Sequence, residues 1–237
     1  MAPLSAVTKV KSQNWGGYVA TGPTGSVTMV NGSWVVPAVT CPSTGNAVVY
    51  EGIGIDSYSD DGPYNGVGTY AECSSGTASY HSWFTDESAG GAGCGVCGAT
   101  VSPKPGDVVT AEVVFADGDI ILSLTDPNSP TQYSASEPVV TSSPQQTADW
   151  VVFQFSFAAA TFANFGKWNT GSDHTKVTDT DYAVISGHVG TIKSFTSVSG
   201  ITISQVSFVD SSNRVMASPS ALSKDGTSFT ITWKAGS

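Results

Sequence analysis

The run Thr147-Ala148-Asp149-Trp150-Val151-Val152-Phe153-Gln154-Phe155 sets one carboxylate at the head of an apolar, β-prone stretch, beside an indole. Holding Asp149 ionised there is costly unless a partner pairs with it or a reaction uses it, so Asp149 is a candidate general base. The plain alternative is a solvated Asp at a strand start. Other groups offer different chemistries. His81, His174 and His188 formally allow a Ser-His-Asp set, but no Gly-x-Ser-x-Gly elbow occurs, and no serine hydrolase is expected. Asp56, Asp60 and Asp61, followed by Gly62, resemble a calcium loop; the spacing misses the EF-hand pattern and lacks its closing Glu, so a solvated turn is expected. Cys94-Gly95-Val96-Cys97 has a redox or zinc spacing. Neither a second CxxC, nor an HxxxH, nor a βαβ setting accompanies it. Two structural disulfides, most simply Cys41–Cys73 and Cys94–Cys97, and no metal are the expectation.

The elements that must position Asp149 are strands. Runs rich in Val, Ile, Thr and aromatics fall at 15–20, 26–36, 47–55, 66–72, 78–85, 108–116, 119–125, 149–157, 183–186, 202–209 and 227–234, with Gly, Pro, Asn or Asp between them. Ala116-Asp117-Gly118 predicts a hairpin turn. Only Ala158–Phe165 hints at a helix. The chain is 237 residues long and 40% hydrophobic, enough for one large all-β domain. An N-terminal segment, 1–12, precedes a single antiparallel β-sandwich at 13–237.

Charged residues are only 12%, so the polar surface is mostly uncharged, and it should tolerate low pH. With 9 Lys+Arg against 19 Asp+Glu, the net charge of −10 argues against nucleic acid and anionic membranes. No apolar run is long enough to span a bilayer. Met1-Ala2-Pro3-Leu4 lacks the features of a signal peptide, so an exported form would start as a mature part behind an added Met. The paired cysteines suit an extracellular setting, secreted or cell-surface. Aromatics crowd several strands, among them Trp15, Trp34, Tyr80, Trp83, Phe84 and Trp150; core packing is the default, and an outward subset would make a cleft for a polypeptide or glycan.

Several segments together resemble the glutamic peptidases, or eqolisins. They are Asn14-Trp15-Gly16-Gly17-Tyr18, Trp34-Val35-Val36-Pro37, Gly52-Ile53-Gly54, Tyr80-His81-Ser82-Trp83-Phe84 and Val101-Ser102-Pro103-Lys104-Pro105-Gly106-Asp107. The C-terminal half adds Ala148-Asp149-Trp150-Val151-Val152, Ala163-Asn164-Phe165-Gly166, Pro219-Ser220-Ala221-Leu222-Ser223 and Phe229-Thr230-Ile231-Thr232-Trp233. The resemblance implies a two-sheet antiparallel sandwich of jelly-roll type, an acid endopeptidase activity and no cofactor. It also implies a Glu general base before the Trp of Ala-Glu-Trp, with a Gln on a facing strand stabilising the oxyanion.

This chain departs from that pattern. The Glu position is Asp149, and the Gln position is Gly66 of Gly66-Val67-Gly68-Thr69; a one-residue slip offers Asn65. Tyr50 stands for the Trp of Trp-Val-Gly-Ile, with Glu51 beside it, and Thr85 stands where a carboxylate is expected. Retracting a general base by about 1 Å costs roughly 100-fold in rate. A lost oxyanion donor costs about 100- to 1000-fold. The first expectation is therefore a secreted or surface protein that has lost the standard pair and uses its cleft, lined by Trp15, Tyr50, Glu51, Trp83 and Trp150, for binding or a structural role. The second is an acid endopeptidase with Asp149 as base and Asn65 as amide donor. A third sets Glu51 opposite Asp149 as the second acid of a glycan-directed site.

Overall fold

The computed structural model describes residues 6–56, 63–89, 97–154, 161–171 and 181–234. Cys94, Asp60, Asp61, His174 and residues 158–160 of the candidate helix at 158–165 lie outside them; its described part, 161–165, is no helix but the short strand Thr161–Phe162 and a β-bridge at Asn164.

Alternating β-branched and small residues give strands throughout. In chain order they are β1 (Thr8–Ser12), β2 (Trp15–Thr21), β3 (Val27–Val35), β4 (Asn46–Ile55), β5 (Asn65–Ser74), β6 (Thr77–Asp86), β7 (Cys97–Gly98), β8 (Val108–Ala116) and β9 (Asp119–Thr125). The second half adds β10 (Tyr133–Pro138), β11 (Thr147–Phe153), β12 (Thr161–Phe162), β13 (Lys167–Thr170), β14 (Tyr182–Ile185), β15 (His188–Thr191), β16 (Thr202–Val209), β17 (Val215–Pro219) and β18 (Thr230–Trp233). The expected Asp-Gly hairpin joins β8 to β9, with φ of 53° at Asp117 and 88° at Gly118, as a type I′ turn requires.

One layer runs β1-β16-β2-β11-β4-β5-β6-β7. The other runs β10-β9-β8-β3-β14-β15 and packs over it through β3, β8 and β9. Strands β17, β18 and β13 carry the hydrogen bonding from β16 round to β3. The expected antiparallel sandwich is present, with two parallel exceptions, β1–β16 and β12–β4. β1 falls within the N-terminal segment 1–12 yet is a sheet edge strand. β1, β7, β10, β12, β13, β15 and β17 have no counterpart among the expected strands.

Between the layers lies a core holding Trp34, Trp150, Trp168, Ile53, Ile55, Val67 and Leu122. A second, smaller cluster of Val19, Tyr64, Trp83, Val151, Phe153 and Val206 forms on the outer face of the first layer. Cys41 and Cys73 are disulfide-bonded, tying the chain ahead of β4 to the end of β5.

Candidate functional site

β11 lies between β2 and β4, and all of its residues are buried. Side chains alternate across a strand, so Thr147, Asp149, Val151 and Phe153 share the outer face while Trp150 and Val152 turn into the core. The register extends these positions into cross-strand rows. Asp149 lies opposite Gly54, Gly54 opposite Gly66, and Gly66 opposite Thr85. The next outer row is Val151, Gly52, Gly68 and Trp83; the one after is Phe153, Tyr50, Tyr70 and His81, with Trp15 opposite Phe153.

Asp149 is 0% exposed, and its Oδ2 accepts a hydrogen bond from Thr147 Oγ1 at 3.0 Å. Thr147 is in turn fastened by Asp56. Asp56 Oδ1 accepts from the backbone N–H groups of Gln146 (2.8 Å) and Thr147 (3.3 Å), and Oδ2 accepts from Gln145 N (2.7 Å) and from the Ser143 hydroxyl. Asp56 thus ties the end of β4 to the entry of β11, and through Thr147 it orients Asp149. Its carboxylate is occupied by these donors. Among the described residues no group of three or more His, Cys, Asp or Glu is placed to hold a metal ion.

The space over the glycine row is filled by Tyr64, a residue sequence reasoning passed over. A Cβ on Gly54 would lie 2.4 Å from Tyr64 Cε2, and one on Gly66 would lie 2.6 Å from Tyr64 Oη. The ring therefore lies in a socket that only glycine at both positions permits. Trp15 and Trp83 (centroids 5.9 Å each) and Phe153 (6.2 Å) pack around it. Its backbone is pinned as well. Tyr64 N donates to Glu87 Oε2 (2.8 Å), and Tyr64 O accepts from Glu87 N (3.3 Å) and Thr85 Oγ1 (3.4 Å). The Tyr64 hydroxyl has no hydrogen-bond partner among the described residues. Burial, then the negative charges of Asp149 and Glu87, push its pKa well above the usual phenol range. The one trace of Tyr64 is the pairing of Gly54 with Gly66, visible only once β4 and β5 are in register, because a two-glycine trough in a buried sheet must be filled by a neighbour.

The other expected site residues divide between the two faces. Trp15, Tyr50 and Trp83 share the face of Asp149. Glu51, Asn65 and Trp150 do not. Asn65 is one residue out of phase with Gly66, and its amide donates to Pro63 O (3.1 Å) and Ser88 Oγ (2.8 Å) while accepting from Ser88 N (3.0 Å). Trp150 Nε1 donates to Asn31 O at 2.8 Å within the core. Glu51, 1% exposed, accepts from Thr69 Oγ1 (3.0 Å), which itself accepts from Trp34 Nε1 (2.9 Å). Burial pushes the Glu51 carboxyl well above the usual range, against the Thr69 hydrogen bond. Glu51 and Asp149 lie on opposite sides of the sheet, so they do not flank a common bond.

The sequence profile described as the Peptidase A4 family matches residues 13–217. The chain belongs to the Peptidase A4 family. Among solved structures, scytalido-glutamic peptidase with a peptide-based transition-state analogue is similar at TM-score 0.70 and 15% identity, over 94% of this chain and 99% of that one. SCP-B, an eqolisin in complex with the tripeptide Ala-Ile-His, matches at 0.70 and 15% over the same shares. Aspergilloglutamic peptidase from Aspergillus niger matches at 0.58 and 15%, over 79% and 99%. No curated protein matches. At such identities the structural likeness speaks for the Peptidase A4 fold, while the residues in the cleft are this chain's own. Among the described residues no helix is long and apolar enough to cross a membrane.

Proposed function

We propose that this chain is a secreted member of the Peptidase A4 family whose cleft binds an extended polypeptide without the family's Glu/Gln hydrolysis. One observation carries the reading. The row through Asp149 continues as Gly54, Gly66 and Thr85, and the Tyr64 ring lies across it, leaving Asp149 with no exposed surface and no side-chain amide in its row. A peptide carbonyl has no route to a water activated by Asp149 in this arrangement, and a missing oxyanion donor alone costs about 100- to 1000-fold. The rest of the face supports peptide binding. Trp15, Tyr50, Tyr70 and His81 are half-buried on it, and the solved relatives hold a peptide-based analogue and a tripeptide. The Cys41–Cys73 disulfide and the sparse charge support an extracellular setting.

A denatured protein incubated with this chain between roughly pH 2 and 5, where carboxylates titrate, should remain intact by mass spectrometry. Short peptides should nonetheless perturb Trp15 fluorescence. Cleavage that disappears in Asp149→Ala would overturn the reading. A second reading, hydrolysis by Asp149, has one observation in its favour: Thr147 holds Asp149 in place, and the Tyr64 hydroxyl, 2.6 Å from where a Cβ on Gly66 would lie, is an alternative donor across the same row. It requires cleavage that both Asp149→Ala and Tyr64→Phe abolish.

A further inference from the structure

The outer face of the first layer is chemically lopsided. By strand alternation the described outward residues of β1, β16, β2, β11, β4, β5 and β6 include the carboxylates Asp149 and Glu72 and the imidazole of His81, but no Lys or Arg. Asp149 is buried, which leaves Glu72 as the open carboxylate among these residues. Glu72 follows Tyr70 on the outer face of β5, and its side chain is 55% exposed. Its Oε1 lies 3.6 Å from His81 Nε2 and accepts from Ser79 Oγ at 3.3 Å.

Beside this carboxylate runs a ledge of rings. Phe153 stacks on Tyr50 (5.3 Å, 13°), Tyr50 on Tyr70 (4.9 Å, 22°) and Tyr70 on His81 (4.9 Å, 24°). The rings cover one another's faces, so the ledge offers edges and polar tips along one line. Burial, then Tyr70, then Glu72 raise the pKa of Tyr50, and burial, then Glu72, that of Tyr70, so the Glu72 charge reaches both rings of the ledge. A long side chain with an apolar stem and a cationic head matches this arrangement, with the stem along the ring edges and the head at the carboxylate.

We propose that Tyr50, Tyr70, His81 and Glu72 form a subsite for an arginine or lysine side chain of the bound peptide. The subsite rests on the reading of the cleft as a peptide-binding one, and it adds the charge of the ligand. On a chain of net charge −10, the same field draws cationic peptides toward this face and repels acidic ones.

The test compares two short fluorescent peptides that differ only in one central residue, arginine or its neutral isostere citrulline, by anisotropy near neutral pH. The arginine peptide should bind about three- to tenfold tighter, as expected for a charge-assisted contact at a partly exposed carboxylate. The difference should shrink as salt is added. In Glu72→Gln, an exposed substitution that leaves the core untouched, the two peptides should bind equally and at the citrulline level. Equal binding to the unsubstituted protein overturns the cationic subsite and leaves the peptide cleft standing. A preference that survives Glu72→Gln overturns the assignment to Glu72. Binding of neither peptide overturns the subsite together with the peptide-binding reading.

Discussion

The two faces of the sheet formed by β2, β11, β4 and β5 both bury carboxyl groups, and they do so in opposite ways. On the inner face Glu51 is shut under an entire second layer, with Thr69 as its hydroxyl donor. Asp181, 0% exposed, faces the same core, where its Oδ1 stands 3.3 Å from the position of a Cβ on Gly32. On the outer face Asp149 is equally buried, and among the described residues the Tyr64 ring, seated in a trough of two glycines, lies across its row. The inner acids can be uncovered only by unfolding. Asp149 lies in a row crossed by a single ring from outside the strands, Tyr64, among the described residues. Burial of a carboxylate is thus no measure of catalytic use; what matters is what would have to move for a ligand to reach it.

The inner face gives the largest expected effect. Burial pushes the Asp181 carboxyl up to about 8, against partial offsets from the Thr170 hydroxyl and the Ser33 backbone N–H. Glu51 shifts in the same direction. In the unfolded chain both ionise near pH 4. Between about pH 4 and 8 the unfolded chain has released protons that the folded protein keeps, so stability is greatest in acid and declines as pH rises through that window. Each such group contributes a slope of about 1.4 kcal/mol per pH unit. Asp181→Asn should flatten the profile and stabilise the protein at neutral pH, as measured by urea midpoints across the window. If the slope is unchanged in both Asp181→Asn and Glu51→Gln, the inner acids are not held neutral and the contrast between the faces fails.

Next in size is the socket. Gly66→Ala drives a Cβ to within 2.6 Å of Tyr64 Oη and 2.9 Å of Ile53 O, and overpacking of this kind costs about 1–3 kcal/mol. Part of that cost belongs to the tyrosine, so Gly66→Ala should be milder in a Tyr64→Ala background. A double-mutant cycle by denaturant unfolding should return a coupling of about 1 kcal/mol or more. Additive effects would mean that the ring and the glycine row do not meet.

The same comparison marks what was readable from sequence. The sandwich was legible because apolar alternation and turn residues carry it, as at Asp117-Gly118. The edge strands were not: β10, Tyr-Ser-Ala-Ser-Glu-Pro, and β1, Thr-Lys-Val-Lys-Ser, half-bury only Tyr133, Ala135 and Val10, too few apolar residues for an alternation to show. That Asp149 lies in a strand was legible from the apolar run behind it. The choice between Gly66 and Asn65 was not, although it is a matter of phase alone, since a one-residue slip moves a side chain to the other face of the sheet. Tyr64 was hidden for a different reason. It belongs to no strand, and its place above Gly54 and Gly66 arises only when β4 and β5 are paired.

The smallest effect is also the most informative about the outer face. The Tyr64 hydroxyl is buried without a protein partner among the described residues, whereas the Thr69 hydroxyl on the inner face bridges Trp34 and Glu51. Removing an unsatisfied buried hydroxyl while keeping the ring relieves its desolvation, so Tyr64→Phe should leave stability unchanged or raise it by up to about 1 kcal/mol. Thr69→Val, which strips a satisfied network, should lower stability by roughly 1–3 kcal/mol. Both are read from chemical denaturation at one pH. If Tyr64→Phe proves as damaging as Thr69→Val, the phenol is satisfied by an ordered water shared with Asp149. The outer carboxylate would then hold the water that hydrolysis needs, and the second reading of the site would gain over the first.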